Sequence, residues 1–360
     1  MSEPAGDAGL PDAPHASGAD GGAVNLLSDT QTRPTAAMRE AIAAATVGDE
    51  QKGADPTTIE LQDRVAALLG HEAGLFLPSG SMCNLISFRL HLRPGGDEAI
   101  LAANSHPVIA EAGAPAAVNG AMLARLDAPS GIYSADAVRA ALHDPADRYA
   151  PRSRMVSVEQ STNMGGGRVW APGAIEEVLE VAREHGLRTH MDGARLMNAV
   201  VASGVAADRY AAGFDTAWLD FSKGLGAPVG AVLVGSSDLI AEAWRYKQML
   251  GGALRQSGVL TAACLYALDH HVDRLADDHR RARRLADGLA ALEGVVVDPD
   301  TVETNIVIFE APNATALCAR AAERGVLMAT VGPGRIRAVV HLDVDDAGIG
   351  RALDVLGELV

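Results

Sequence analysis

Hydrophobic positions along the chain follow two alternating rhythms. Short apolar runs at 73–77, 98–102, 118–123, 154–158, 188–191 and 216–221 each end in a polar or small-residue turn. Between them lie stretches with apolar residues at helical spacing, such as Ile59, Val65, Leu68 and Leu69. That stretch opens with Asp55 as N-cap and Pro56 at the first helical position, and Gly70 stops it. Repeated strand–helix alternation predicts a mostly parallel sheet with helices on both faces, an α/β fold. The run 229–234 follows 216–221 too closely for a helical crossover, so it enters the sheet antiparallel or lies beside it.

Further on, the pattern predicts a helix over 237–249 and a long helical stretch over 259–292. Strand, helix, strand and helix then follow at 304–309, 315–325, 336–342 and 345–359. This divides the chain into a large domain over 24–270 and a small α/β C-terminal domain over 271–360. Residues 1–23 are Gly, Ala, Pro and Asp with little to bury, and a disordered tail is expected there.

Composition narrows the partners. A chain of 360 residues with net charge -16 lacks the clustered cations that phosphate backbones require, so nucleic acid is not an expected partner. Arg280, Arg281, Arg283 and Arg284 are interleaved with Asp277, Asp278 and Asp287 and read as a solvated helix face. No apolar run is long enough to span a membrane. Cys83, Cys264 and Cys318 show no metal or disulfide spacing, and no metal is expected. Glu3, Asp7 and Asp12 stand where a secretory signal carries basic and then apolar residues, so a cytoplasmic location is expected.

Two strand ends carry the candidate chemistry. The run 216–221 closes on Ser222-Lys223 and breaks into a Gly-rich turn. A lysine at the tip of a buried strand is a candidate nucleophile, because burial disfavours its charged form. The run 188–191 closes on Asp192 within His190-Met-Asp-Gly-Ala-Arg195. An acid that pairs with a pyridinium nitrogen, beside a lysine that holds an aldehyde, is the binding logic of pyridoxal 5'-phosphate (PLP). Pro78-Ser-Gly-Ser81 joins a strand to a helix; it is either a phosphate cup, with Ser81 adding a hydroxyl, or an ordinary N-cap. His106, where a strand hands over to a helix, is site-facing or else a capping or packing residue. Ser28 caps the helix that begins near Thr35 or touches a ligand. Arg335 and Arg337 alternate with Ile336, so the two arginines share one face of their strand.

Taken together, these residues resemble the threonine aldolase family, within the β-eliminating lyase group of fold type I PLP enzymes. The resemblance runs from about Asn25 to the C-terminus. It is carried by Ser28-Asp-Thr30, by Gly48-Asp49 with Asp55-Pro-Thr57, by Pro78-Ser-Gly-Ser81 and by His190–Arg195. Ser222-Lys-Gly-Leu-Gly-Ala-Pro-Val-Gly230, Arg255-Gln-Ser-Gly258 and His341-Leu-Asp343 complete it. It implies a large domain with a mostly parallel seven-stranded sheet. It further implies that Lys223 holds PLP, that Asp192 fixes the pyridine nitrogen and that His106 stacks on the ring. Gly80 and Ser81 would bind the phosphate, helped by Arg255 from a neighbouring subunit of a homodimer or homotetramer. Ser28, Arg195 and Arg337 would hold the carboxylate of an amino acid substrate.

The implied reaction cleaves a β-hydroxy-α-amino acid, such as threonine or allo-threonine, to glycine and an aldehyde. The chain departs from the family pattern at three places. Thr162 stands where a histidine is common, Lys52 where a tyrosine is usual, and Ala253 ends a run that is otherwise Gly-Gly-Gly. Threonine is no general base near neutral pH, so the resemblance leaves His106 or a bound water to act in that role. Two alternatives follow: a related PLP enzyme performing β-elimination or glycine transfer, and a PLP-binding paralogue without turnover.

Overall fold

The strands form on short apolar runs: Asp97–Ala102, Thr216–Asp220 and Ala231–Gly235 are buried throughout, whereas Met122–Leu126 at the sheet edge has no fully buried residue. The computed structural model describes residues 22–360, so most of the expected N-terminal tail, residues 1–21, lies outside the described residues. In chain order the strands are β1 (Val24–Asn25), β2 (Ala73–Leu77), β3 (Asp97–Ala102), β4 (Met122–Leu126), β5 (Arg152–Glu159) and β6 (Arg188–Asp192). They continue with β7 (Thr216–Asp220), β8 (Ala231–Gly235), β9 (Ile306–Glu310), β10 (Val326–Leu327), β11 (Ala329–Thr330) and β12 (Arg335–Val339).

Seven strands make the central sheet, in the order β2-β8-β7-β6-β5-β3-β4. Strands β7, β6, β5, β3 and β4 are mutually parallel, and β8 runs antiparallel to both β7 and β2. The short β7–β8 connection therefore resolves to antiparallel entry. Because β8 reverses twice, β2 points the same way as the parallel set. The carboxyl ends of β2, β3, β5, β6 and β7 thus open on one edge, where ligands of α/β folds bind.

A second, smaller core packs the helix Leu275–Ala290 and the C-terminal helix Asp346–Gly357 against the antiparallel sheet β11-β12-β9. Val24 and Leu26 are buried in this core, because β1 pairs with β10.

Three local expectations change. The run 118–123 divides: Pro115 starts a short helix, Ala114–Ala117, Gly120 turns the chain at φ 61°, and the strand begins at Met122. Thr35, not Ser28, caps the helix Ala36–Ala43, its hydroxyl accepting from the Met38 N–H at 3.2 Å. Ser28 instead caps the short turn Asp29–Gln31. The long helix over 259–292 is two helices, Gly258–His270 and Leu275–Ala290. At the break, His271 Nδ1 donates to the Leu225 carbonyl (2.7 Å) and Arg274 to the Gly224 carbonyl (3.3 Å). With Thr32 Oγ1 donating to the Lys223 carbonyl (2.8 Å), three successive carbonyls of the lysine loop are held by side chains.

Candidate active site

The strand-end edge gathers its residues by chain reversal at each turn. After β2, Ser79 caps the helix Gly80–His91 by accepting from the Met82 N–H at 3.3 Å. Gly80 is required there: a Cβ would lie 2.2 Å from the Trp218 ring. Gly193, after β6, is required likewise, since a Cβ would meet the Trp218 carbonyl at 1.8 Å. The free N–H groups of the first helical turn, with Ser81 exposed beside them, could hold an anion.

Asp192 ends β6 and is buried. Its Oδ2 accepts from Asn84 Nδ2 (2.8 Å) and its Oδ1 from the Ala194 N–H (3.0 Å). Burial, with the nearby Glu159 carboxylate, pushes its carboxyl up to about 7, although His106 and Lys223 pull the other way. Glu159 ends β5 and accepts from the backbone N–H groups of His106 (2.9 Å) and Asn163 (2.6 Å). His106 Nδ1 lies 2.8 Å from Glu111 Oε1. Burial opposes charge on that ring, but Glu111 and Asp192 outweigh it and hold His106 above the usual histidine value.

Lys223 sits just past β7, with its Nζ 2.7 Å from Asp220 Oδ2 and 5.6 Å from the centre of the Trp218 ring. The chain has three lysines. Lys247 is enclosed, paired with Glu50 and packed against Trp244 and Phe76. Lys52 is exposed. Only Lys223 shares the edge with the acids and the histidine.

The arginines stand where the two cores meet. Arg195 binds Asp29 through Nε (2.8 Å) and Nη2 (2.7 Å), both partners being buried. Asn305 also donates to Asp29 (3.2 Å). Burial opposes ionisation of Asp29, yet the Arg195 guanidinium holds its carboxyl well below the usual range. Arg337 has no carboxylate partner among the described residues. It donates to Asn163 Oδ1 (2.8 Å) and the Leu27 carbonyl (3.5 Å), and its buried Nε has no partner. Burial and the neighbouring Arg195 charge hold its pKa below that of a free arginine.

Ser28 is half-buried and next in sequence to Asp29. Arg255 is exposed, pairs with Asp49 at 3.2 Å, and accepts from the Glu50 N–H at its carbonyl. No hydrogen bond or ion pair among the described residues joins it to the strand-end group. Thr162 is fully buried, its Oγ1 unpartnered, in a space left by Gly131 and Gly165. A cavity of about 460 Å³ lies elsewhere, between edge strand β2, the helix Pro56–Leu69 and the helix Ser237–Met249.

Sequence reasoning missed Asp220, Asp29, Glu111, Glu159, Asn84 and Asn163. Asp220 had a usable signal, being an acid three residues before Lys223. The others are recognisable only once the strand ends are brought together.

This architecture, with its second small unit, is fold type I of the PLP-dependent enzymes. A solved structure of Leishmania major threonine aldolase superposes with TM-score 0.82 at 21% identity, covering 93% of this chain and 99% of that one. The family model for beta-eliminating lyases matches residues 25–312, and the chain belongs to that family. Among curated relatives, low-specificity L-threonine aldolase 1 of Arabidopsis thaliana is 38% identical over 333 residues, covering 91% of this chain and 93% of its own. Low specificity L-threonine aldolase of Escherichia coli is 39% identical over 322 residues, with 89% and 94% covered. Among the described residues no helix is long and apolar enough to cross a membrane.

Proposed function

We propose that the chain is a PLP-dependent aldolase that cleaves threonine, allo-threonine or a similar β-hydroxy-α-amino acid to glycine and an aldehyde. The observation that carries this reading is the grouping of Lys223, Asp192 and His106 on one sheet edge, beside the unpaired guanidinium of Arg337.

The residues fit the cofactor. The Gly80 cradle leaves backbone N–H groups for a phosphate, and Asp192 is a buried carboxyl whose ionised form a pyridinium partner would stabilise. When bound, PLP accepts the electron pair released as the Cα–Cβ bond breaks. Lys223 supplies the amine that binds its aldehyde, and Asp220 holds that amine in place (2.7 Å). Asp192 holds the proton of the ring nitrogen. Ser81 and Gly80 bind the phosphate.

Arg337 and Ser28 bind the substrate carboxylate. Arg195 contributes through Nη1, since Asp29 occupies its other edge. His106 is engaged at Nδ1 by Glu111, so Nε2 is the nitrogen that takes the β-hydroxyl proton. Thr162 takes no part, being enclosed.

The exposed Arg255 supports a homodimer or homotetramer in which it reaches a partner's phosphate site, and the three unpaired cysteines are compatible with a cytoplasmic location. The test is incubation of the PLP-loaded protein with L-threonine. Glycine and acetaldehyde in equal amounts are expected. Ammonia and a keto acid would replace this reading with β-elimination, and no turnover with any β-hydroxy amino acid would leave a binding paralogue.

A further inference from the structure

Asn84 lies on the helix Gly80–His91, one turn beyond the phosphate cradle, and is almost fully buried. Its side-chain amide makes four hydrogen bonds, the most it can make. Nδ2 donates to Asp192 Oδ2 and to Glu111 Oε1, each at 2.8 Å. Oδ1 faces Trp218 Nε1 at 2.8 Å and His190 Nε2 at 3.0 Å.

The amide has one allowed orientation. An indole N–H can only donate, so it must face the oxygen; ionised carboxylates only accept, so they must face the nitrogen. The direction then propagates along the chain of contacts. His190 must carry its proton on Nε2, and its Nδ1 accepts from the Thr216 hydroxyl at 2.9 Å. The Thr216 oxygen in turn accepts from His91 Nε2 at 2.8 Å. Burial holds His190 and His91 neutral, at about 3 and about 4, which agrees with one proton per ring. On the other side, Glu111 Oε1 can only accept, so His106 carries a proton on Nδ1.

We propose that Asn84 is a positioning residue of this site: it fixes the orientation of the Asp192 carboxylate and, through Glu111, sets His106 with its proton on Nδ1 and its lone pair on Nε2. This rests on the aldolase reading for its consequence in turnover, but the proton placement itself does not depend on that reading.

The experiment uses the full chain without cofactor, labelled with ¹⁵N-histidine, at about pH 9, where histidine rings are neutral. The expected spectrum has His106 protonated on Nδ1, and His190 and His91 on Nε2. His106 protonated on Nε2, or His190 on Nδ1, would overturn the proposal. Asn84→Asp keeps the oxygen that faces Trp218 and removes both donors. It is expected to mix the His106 tautomers, raise the PLP Kd at least about tenfold, and lower kcat at least about tenfold with KM little changed. A variant with the wild-type His106 tautomer and PLP affinity would also overturn it. Should Asn84→Asp fail to fold, the wild-type tautomers alone decide. Failure of the wild type to bind PLP would instead count against the proposed function.

Discussion

The lysine end of the site and its arginine corner solve the same problem, a cation largely withdrawn from solvent, in opposite ways. Lys223 meets Asp220 three residues away, so the pair is set by one strand end. Arg195 meets Asp29, Arg337 meets Asn163 and Asn305 meets Asp29 across sequence separations of 166, 174 and 276 residues. The first region follows from local sequence, whereas the second exists only when both cores are assembled. Within the corner a second contrast appears. Arg195 is closed by a bidentate carboxylate, while Arg337 has only neutral partners and a buried Nε left over. A closed pair is architecture; an open cation is a place for an anion.

The largest effect should come at the lysine end. Lys223→Ala is expected to lower kcat/KM for L-threonine by at least about a thousandfold while the protein stays folded by circular dichroism. Retention of a tenth of the activity would separate Lys223 from the chemistry.

Next is the closed pair. Asp29→Ala strands the buried Arg195 charge and should cost about 3–5 kcal/mol of stability, read by denaturant unfolding of the cofactor-free chain. A loss below about 1 kcal/mol would mean that the corner relaxes around the missing partner.

At the open cation, Arg337→Lys should raise KM about 10- to 100-fold, because lysine cannot reproduce planar recognition of a carboxylate. The melting temperature should move little, since no ion pair is broken. A KM left unchanged would place the substrate carboxylate elsewhere.

A pH series sharpens the contrast between Asp29 and Asp192. Asp29 is held below its ordinary value, so its stabilisation is present above about pH 4 and is lost as acid titrates the folded group. Asp192 is held up at about 7, so between about pH 4 and that value the cofactor-free folded state binds more protons than the unfolded state, and stability falls as pH rises. The stability of wild type relative to Asp192→Asn should therefore decline across that interval, measured without cofactor. A flat difference would contradict the burial argument.

The smallest effect is expected at Thr162. Thr162→Val replaces an unpartnered buried hydroxyl with a methyl, so activity should stay within about twofold and stability should hold or rise by up to about 1 kcal/mol. A large loss of kcat would return Thr162 to the reaction.

The same contrast explains what was legible in the sequence. The sheet could be read because each strand is a short apolar run ended by a small or polar turn, and Lys223 and Asp192 stood out because each closes such a run. Helices were legible where caps were local, as at Asp55-Pro56 and over Ser237–Met249. The break at 271–274 was not, since the carbonyls it serves belong to residues 224 and 225. Asp29 hid for the same reason: an acid next to Ser28 carries no mark of an arginine so far along the chain. Asn84 looks like any polar residue in a helix until four side chains from other elements close around its amide.

The central claim is that Lys223 is the amine that carries the cofactor, and with only three lysines in the chain it can be tested outright. The protein is loaded with PLP, reduced with borohydride, digested and mapped by mass spectrometry. The account predicts the phosphopyridoxyl mass on the peptide containing Lys223 and on no other. Label on Lys52 or Lys247, or no label on a chain that has taken up PLP, would contradict it.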